Sequence, residues 1–192
     1  MNVLFLHIPK NAGSAVRHAM IDSPDINYQK WMNNHHFLST LVNRCEYHKY
    51  KPDFSFCIAR NPYDRVESIF SYSRIMYKDY YDTYSLQQKK ADYQDYVAYM
   101  NFDFKPWLKY VLFNRTKNST DSISRTQSMF IDCDYPIEIF KYENLEPLES
   151  RLGVKLQTVN SHPKQKVEWD DETRDMVRLY YKKDFEQFGY EL

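Results

Sequence analysis

Two short apolar runs, each ending in a turn that opens onto a helix, constrain this chain more than any other feature. The first covers residues 3–8, stops at Pro9 and passes through Lys10, Asn11, Ala12, Gly13, Ser14 and Ala15 into a helical pattern. The second covers residues 54–60 and delivers Arg60 at its end. Asn61-Pro62 then turns the chain into a helix on which Arg65 and Ser68 share a face. A third apolar run, over 137–142, precedes another helical stretch. Strands that alternate with helices predict a three-layer α/β domain, a central parallel sheet flanked by helices. A helix that starts straight after a strand presents unpaired N–H groups, so each of the first two junctions is a natural cradle for an anion. Two cradles in one chain suggest a ligand with two separated phosphate-like groups.

Helices are expected over 15–21, 63–77, 91–100, 106–113 and 144–152, the last closed by Gly153. A final docking helix is expected over 170–188, with Asp170 or Asp171 as N-cap, Gly189 as terminator, and Met176, Val177, Leu179 and Tyr180 on its core stripe. The stretch 79–88 reads as a polar, Tyr-rich connection suited to lining an acceptor cleft. With 192 residues and no Gly/Ser-rich or Pro-rich divider, the chain is read as one domain over 1–192. The formal net charge is zero, which argues against nucleic-acid or anionic-membrane partners and makes any cationic site local. The amino-terminal apolar run is broken by His7, Pro9 and Lys10, unlike a signal peptide or membrane anchor. Cys45, Cys57 and Cys133 are odd in number and lack metal-ligand spacing, and Cys57 falls inside a buried strand. A cytoplasmic, reducing location is therefore expected.

The stretch His7-Ile8-Pro9-Lys10-Asn11-Ala12-Gly13-Ser14 resembles the 5′-phosphosulfate loop of the carbohydrate sulfotransferases, including the heparan sulfate 2-O- and 6-O-sulfotransferases. The second junction, Arg60-Asn61-Pro62-Tyr63-Asp64-Arg65-Val66-Glu67-Ser68, resembles the family's motif for the 3′-phosphate of 3′-phosphoadenosine 5′-phosphosulfate (PAPS). The residues 180–190 also look like the family's closing helix. The first motif departs from the usual Thr-Gly-Gly-Thr-Ser by carrying Asn11, Ala12, Ser14 and Ala15, so the contact made by the family's last hydroxyl is missing at Ala15. The resemblance implies a P-loop-like sulfotransferase fold, PAPS as sulfate donor, no metal, and a carbohydrate or other small hydroxyl compound as acceptor. It implies nucleotide binding by Lys10, Asn11, Ala12, Gly13, Ser14, Ala15, Arg60 and Ser68.

Residue chemistry fits those roles. Lys10 offers a flexible ammonium to the charge that builds on a departing phosphate, and Arg60 offers a fork of donors to a phosphate. Ser14 reads either as an anion ligand or as a helix cap, and Arg65 either as an anion ligand or as a structural ion pair. The acceptor hydroxyl needs a base, and the adjacent His35 and His36, lying between the two motifs as the family's catalytic histidine does, are the candidates. His7 is expected to orient the loop. Gln127 lies where family members carry a glutamine facing the active site, though it reads on its own as an ordinary polar helix residue. The loop 158–166, with two lysines, loosely matches a segment that closes over the nucleotide in that family. Two other classes remain. A P-loop kinase would need its lysine after the glycine, whereas Lys10 precedes Gly13. A non-catalytic module binding a nucleotide or sulfated glycan would share both cradles.

Overall fold

The computed structural model describes residues 1–80, 93–114, 125–157, 165 and 167–192. They form two compact units: residues 1–61, 125–161 and 183–191 make the first, and 62–124 with 162–182 and Leu192 the second.

The first unit is α/β. Strands β1 (Val3–Leu6), β2 (Phe54–Ala59) and β3 (Glu138–Lys141) form a parallel sheet in that order, with Val3 opposite Phe54 and Phe56 opposite Glu138. β1 is buried throughout, and its side chains feed two cores, as a sheet covered on both faces requires. Val3 and Phe5 join Phe54, Phe56 and Ile58 against Val16 and Met20 of α1 (Gly13–Asp22), and against Leu148 and Leu152 further along the chain. Leu4, Leu6 and Cys57 pack instead with Leu38, Leu41 and Cys45 of α2 (Leu38–Tyr47), together with Phe130. Stacked rings line the first face: Phe5 lies on Phe56 across the strands at 4.9 Å, and Phe56 on Phe54 of its own strand at 5.1 Å.

Each strand stops shorter than its apolar run. Ile8 is buried but lies past β1, where its N–H turns back to the Leu6 carbonyl, and Arg60 lies past β2. The first unit also holds a 3-10 turn, Gln127–Phe130.

The second unit is helical, built on α3 (Pro62–Tyr80), α4 (Tyr93–Asn101), α5 (Phe104–Lys109), a π turn (Tyr110–Asn114) and a later helix after Trp169. Phe70, Tyr99, Phe104, Trp107 and Leu108 are buried here. In the first unit α6 (Glu146–Leu152) ends at Gly153, whose φ of 68° is the left-handed geometry expected of a helix terminator. α7 (Asp171–Tyr180) begins with the expected Asp170 cap, which accepts from the Thr173 N–H while the Thr173 hydroxyl accepts from the Asp170 N–H. Lys105 reaches Asp170 at 2.7 Å.

The expected helix over 170–188 is two helices, α7 and α8 (Lys182–Phe188), separated at Tyr181. Met176 and Val177 are buried as expected, but Leu179 is 71% exposed. Gly189 ends α8 with a φ of 59°. The expected Tyr-rich connection starts inside α3 and otherwise lies outside the described residues, as does the loop 158–166 apart from Gln165, whose N–H donates to the Ser71 hydroxyl at 3.0 Å. No helix among the described residues is long and apolar enough to cross a membrane.

Candidate functional site

Parallel strands release their chains at the same edge of the sheet, which is where open α/β sheets hold their ligands. Here β1 releases the Lys10 loop, β2 releases Arg60, and β3 releases Tyr142 and Glu143. The Tyr142 N–H donates to the Ala59 carbonyl at 2.8 Å and holds the last two ends together.

The Lys10 loop is backbone chemistry first. Lys10 and Ala12 both take positive φ, 69° and 59°, and Ala12 is followed directly by the helical Gly13. Left- and right-handed residues in succession gather N–H groups into a concavity for an anion. The N–H groups of Gly13, Ser14 and Ala15 add to it, because a helix's first turn has no carbonyls behind it to satisfy them. The left-handed conformation costs a residue with a Cβ roughly 1–2 kcal/mol, so Ala12 is held there by its surroundings. Ser14 is not the helix cap: Ala12 occupies that position, and the Ser14 hydroxyl makes no hydrogen bond among the described residues. Ala15 supplies only its backbone.

Gly13 has a reason the sequence does not disclose. A Cβ built there would lie 1.8 Å from Nε2 of His7, so any side chain at this position displaces that ring. His7 is buried, just past β1, and stacks on Phe5 at 5.6 Å. Burial, with lesser contributions from His35 and Arg17, depresses its pKa from the ordinary 6.5 to about 3, so the ring is neutral near pH 7. A base so weak does not serve proton transfer, which leaves His7 as a buttress of the loop.

The two histidine candidates diverge. The His35 ring meets His7 edge-on at 4.5 Å and is exposed. His36 is half-buried; burial and then Arg44 lower its pKa, while a Trp31 backbone group raises it.

Arg60 is only 5% exposed. Its guanidinium donates from Nη1 to the Lys10 carbonyl at 3.0 Å and lies 4.1 Å over the Tyr142 ring. Its Nε has no hydrogen-bond partner, and no carboxylate pairs with it among the described residues. Glu143, the acid next to Tyr142, is engaged elsewhere: it accepts from the Asn61 N–H and the Tyr190 hydroxyl, both at 2.8 Å.

Asn11 was expected to face the nucleotide, but its side chain turns inward. It is 1% exposed and its Nδ2 donates to the Ile58 carbonyl and to Gln127 Oε1, each at 2.6 Å. Only its backbone is left for an anion. Gln127 is correspondingly no ordinary helix residue but a fully buried one in a 3-10 turn, fixed by a fully buried Asp184 whose carboxylate accepts from the N–H groups of Gln127 and Ser128 at 2.7 and 2.8 Å. Asp184 escaped the sequence reading. The available signal was an acid placed beside Phe185 and one turn before Phe188, on the apolar stripe of its own helix.

Ser68 belongs to the second unit, half-buried on α3 with no hydrogen bond to its hydroxyl among the described residues, and Arg65 is fully buried in that unit. The part of Ser68 in holding a 3′-phosphate stays with the motif resemblance. No cluster of three or more His, Cys, Asp or Glu suited to a metal occurs among the described residues. Cys45 and Cys57 are buried, with their thiols pushed up to about 11 and 12 chiefly by that burial, so neither is poised as a nucleophile.

The neutral buried His7 makes stability depend on pH. Its folded pKa lies below its unfolded value, so between pH 6.5 and about 3 the unfolded chain binds more protons and stability falls as pH falls. From pH 7 to 5 the loss is on the order of 2 kcal/mol. Urea unfolding at the two pH values checks this: His7→Gln is expected to flatten the difference, and an undiminished difference in that variant overturns the assignment.

No family model, curated protein or solved structure matches the chain. The class that the fold defines is therefore an α/β protein with a three-stranded parallel sheet flanked by helices and a cationic loop cluster at its carboxyl edge.

Proposed function

We propose that the protein is a PAPS-dependent sulfotransferase that moves a sulfuryl group to a hydroxyl of a carbohydrate or other small acceptor. The observation that carries this reading is Arg60. A guanidinium buried this far, with an unpaired Nε and no acid beside it among the described residues, is costly unless an anion completes it. It touches the carbonyl of Lys10, in the loop that resembles the family's phosphosulfate loop. Two anion-binding features joined at that contact suit a nucleotide phosphorylated at both the 3′ and 5′ positions.

In the reaction the acceptor oxygen bonds to sulfur as the bond from sulfur to the bridging phosphate oxygen breaks. The products are a sulfate ester and adenosine 3′,5′-bisphosphate. The Lys10 ammonium and the first-turn N–H groups of α1 stabilise charge on the leaving phosphate, Arg60 holds the 3′-phosphate, and His35 takes the acceptor proton. The site is supplied without a metal in this reading. A cytoplasmic location accompanies it.

Calorimetry tests the nucleotide assignment. Charge-assisted hydrogen bonds contribute about 1.5–3 kcal/mol each, so adenosine 3′,5′-bisphosphate should bind roughly tenfold or more tightly than AMP. Equal affinities remove the reading. Transfer of labelled sulfate from PAPS to a panel of glycans and small alcohols then separates an enzyme from a non-catalytic binding module, for which binding occurs without transfer.

A further inference from the structure

The Gln127 side chain is hydrogen-bonded to both anion-binding loops. Its Oε1 accepts from Asn11 Nδ2 at 2.6 Å and from the Arg60 N–H at 2.9 Å, while its Nε2 donates to the Arg60 carbonyl at 2.8 Å. All three bonds are buried, where a low local dielectric strengthens them. The residue is itself immobilised, since Asp184 accepts from its backbone N–H and from that of Ser128. An amide is the side chain this position needs, because one end must accept twice and the other must donate.

The second tie between the loops is the Arg60 Nη1 bond to the Lys10 carbonyl, and it uses the same guanidinium that an anion would engage. Gln127 acts on the backbone of Arg60 and the side chain of Asn11, so its hold is independent of what the guanidinium binds. We propose that Gln127, anchored by Asp184, is a positioning residue that fixes the spacing of the Lys10 loop and Arg60, so that the two phosphate ends of one nucleotide are gripped as a coupled pair. The proposal rests on the sulfotransferase reading above. Binding at one end then presents the other phosphate at high effective concentration, and a loosened clamp loses that advantage without losing either contact.

The experiment is calorimetric titration of adenosine 3′,5′-bisphosphate and of AMP into the wild type and Gln127→Leu. The wild type should prefer the bisphosphate by roughly tenfold or more, whereas in Gln127→Leu the preference should shrink to within about threefold, with AMP affinity changed by less than about threefold. A purely structural glutamine would lower the unfolding midpoint and leave the ratio of the two affinities in the folded protein untouched, and that outcome overturns the clamp alone. A wild type with no preference overturns the nucleotide reading, and the clamp with it. If Gln127→Leu does not fold, Asn11→Ala is read by the same ratio, since it cuts the link on the Lys10 side and leaves Gln127 bonded to Arg60.

Discussion

His35→Ala is expected to lose about 10²–10⁴-fold in turnover while keeping its affinity for adenosine 3′,5′-bisphosphate, because a general base acts on the acceptor proton and not on the nucleotide. The geometry gives the ranking of the two histidines. His35 is exposed and touches His7, whose ring fills the space beside Gly13 at the start of α1. His36 is half-buried, and burial and Arg44 both disfavour its protonated form. His36→Ala should therefore change turnover much less than His35→Ala. The pH profile supplies an independent readout: an imidazole base must be neutral to accept a proton, so the wild type should lose rate on the acid side, and His35→Ala should lose that limb. Steady-state turnover against pH for both variants decides the matter. Retained turnover in His35→Ala with an unchanged acid limb overturns the assignment, and a larger loss in His36→Ala moves the base by one residue.

The parts of the fold that were legible share a physical cause. Residues 3–6 and 54–59 are apolar at every position that a doubly covered strand buries, and Pro9 and Asn61-Pro62 end the runs without ambiguity. Asp170, Gly153 and Gly189 announce helix ends by local rules, and the structure uses all three. The break at Tyr181 was hidden because apolar residues continue through it: Met176, Val177, Tyr181, Phe185 and Phe188 are all buried, and an uninterrupted stripe reads as one helix. Leu179 lies within α7, before the break, and off the stripe of Thr173, Met176 and Val177 that the helix buries.

The candidate loops were legible as strand-to-helix junctions, and opaque where they depend on contacts between distant residues. The pairing of β1 with β2 brings the Lys10 carbonyl to Arg60, a contact that neither motif names. That Gly13 makes room for His7, or that Asn11 turns its amide inward, depends on distances no local spacing encodes. Gln127 is the strongest case. Its polarity predicts a surface position, and only its three partners on Asn11 and Arg60 explain why it is fully buried.

Lys10→Ala should lower turnover on the order of 10²–10³-fold, the scale for removing one preorganised group that stabilises charge developing in the transition state. Product-nucleotide affinity should fall much less, since the first-turn N–H groups of α1 and the Arg60 guanidinium remain. The contrast between the two quantities is the informative part. Lys10 holds a left-handed backbone conformation, and its carbonyl accepts from Arg60. Replacing the side chain leaves that carbonyl in place, although alanine retains the left-handed penalty of any residue with a Cβ. A variant that simply misfolded would lose binding and turnover together, so unfolding by urea and calorimetry with adenosine 3′,5′-bisphosphate are run on the same preparation. A folded Lys10→Ala that binds nucleotide and turns over at the wild-type rate reduces Lys10 to a cation at a turn. The charge on the leaving phosphate would then fall to the backbone N–H groups alone. Lys10→Arg extends the argument: a guanidinium preserves charge but spreads it over a rigid plane, so partial recovery of turnover would indicate that charge alone suffices, and no recovery that the compact, mobile ammonium is required.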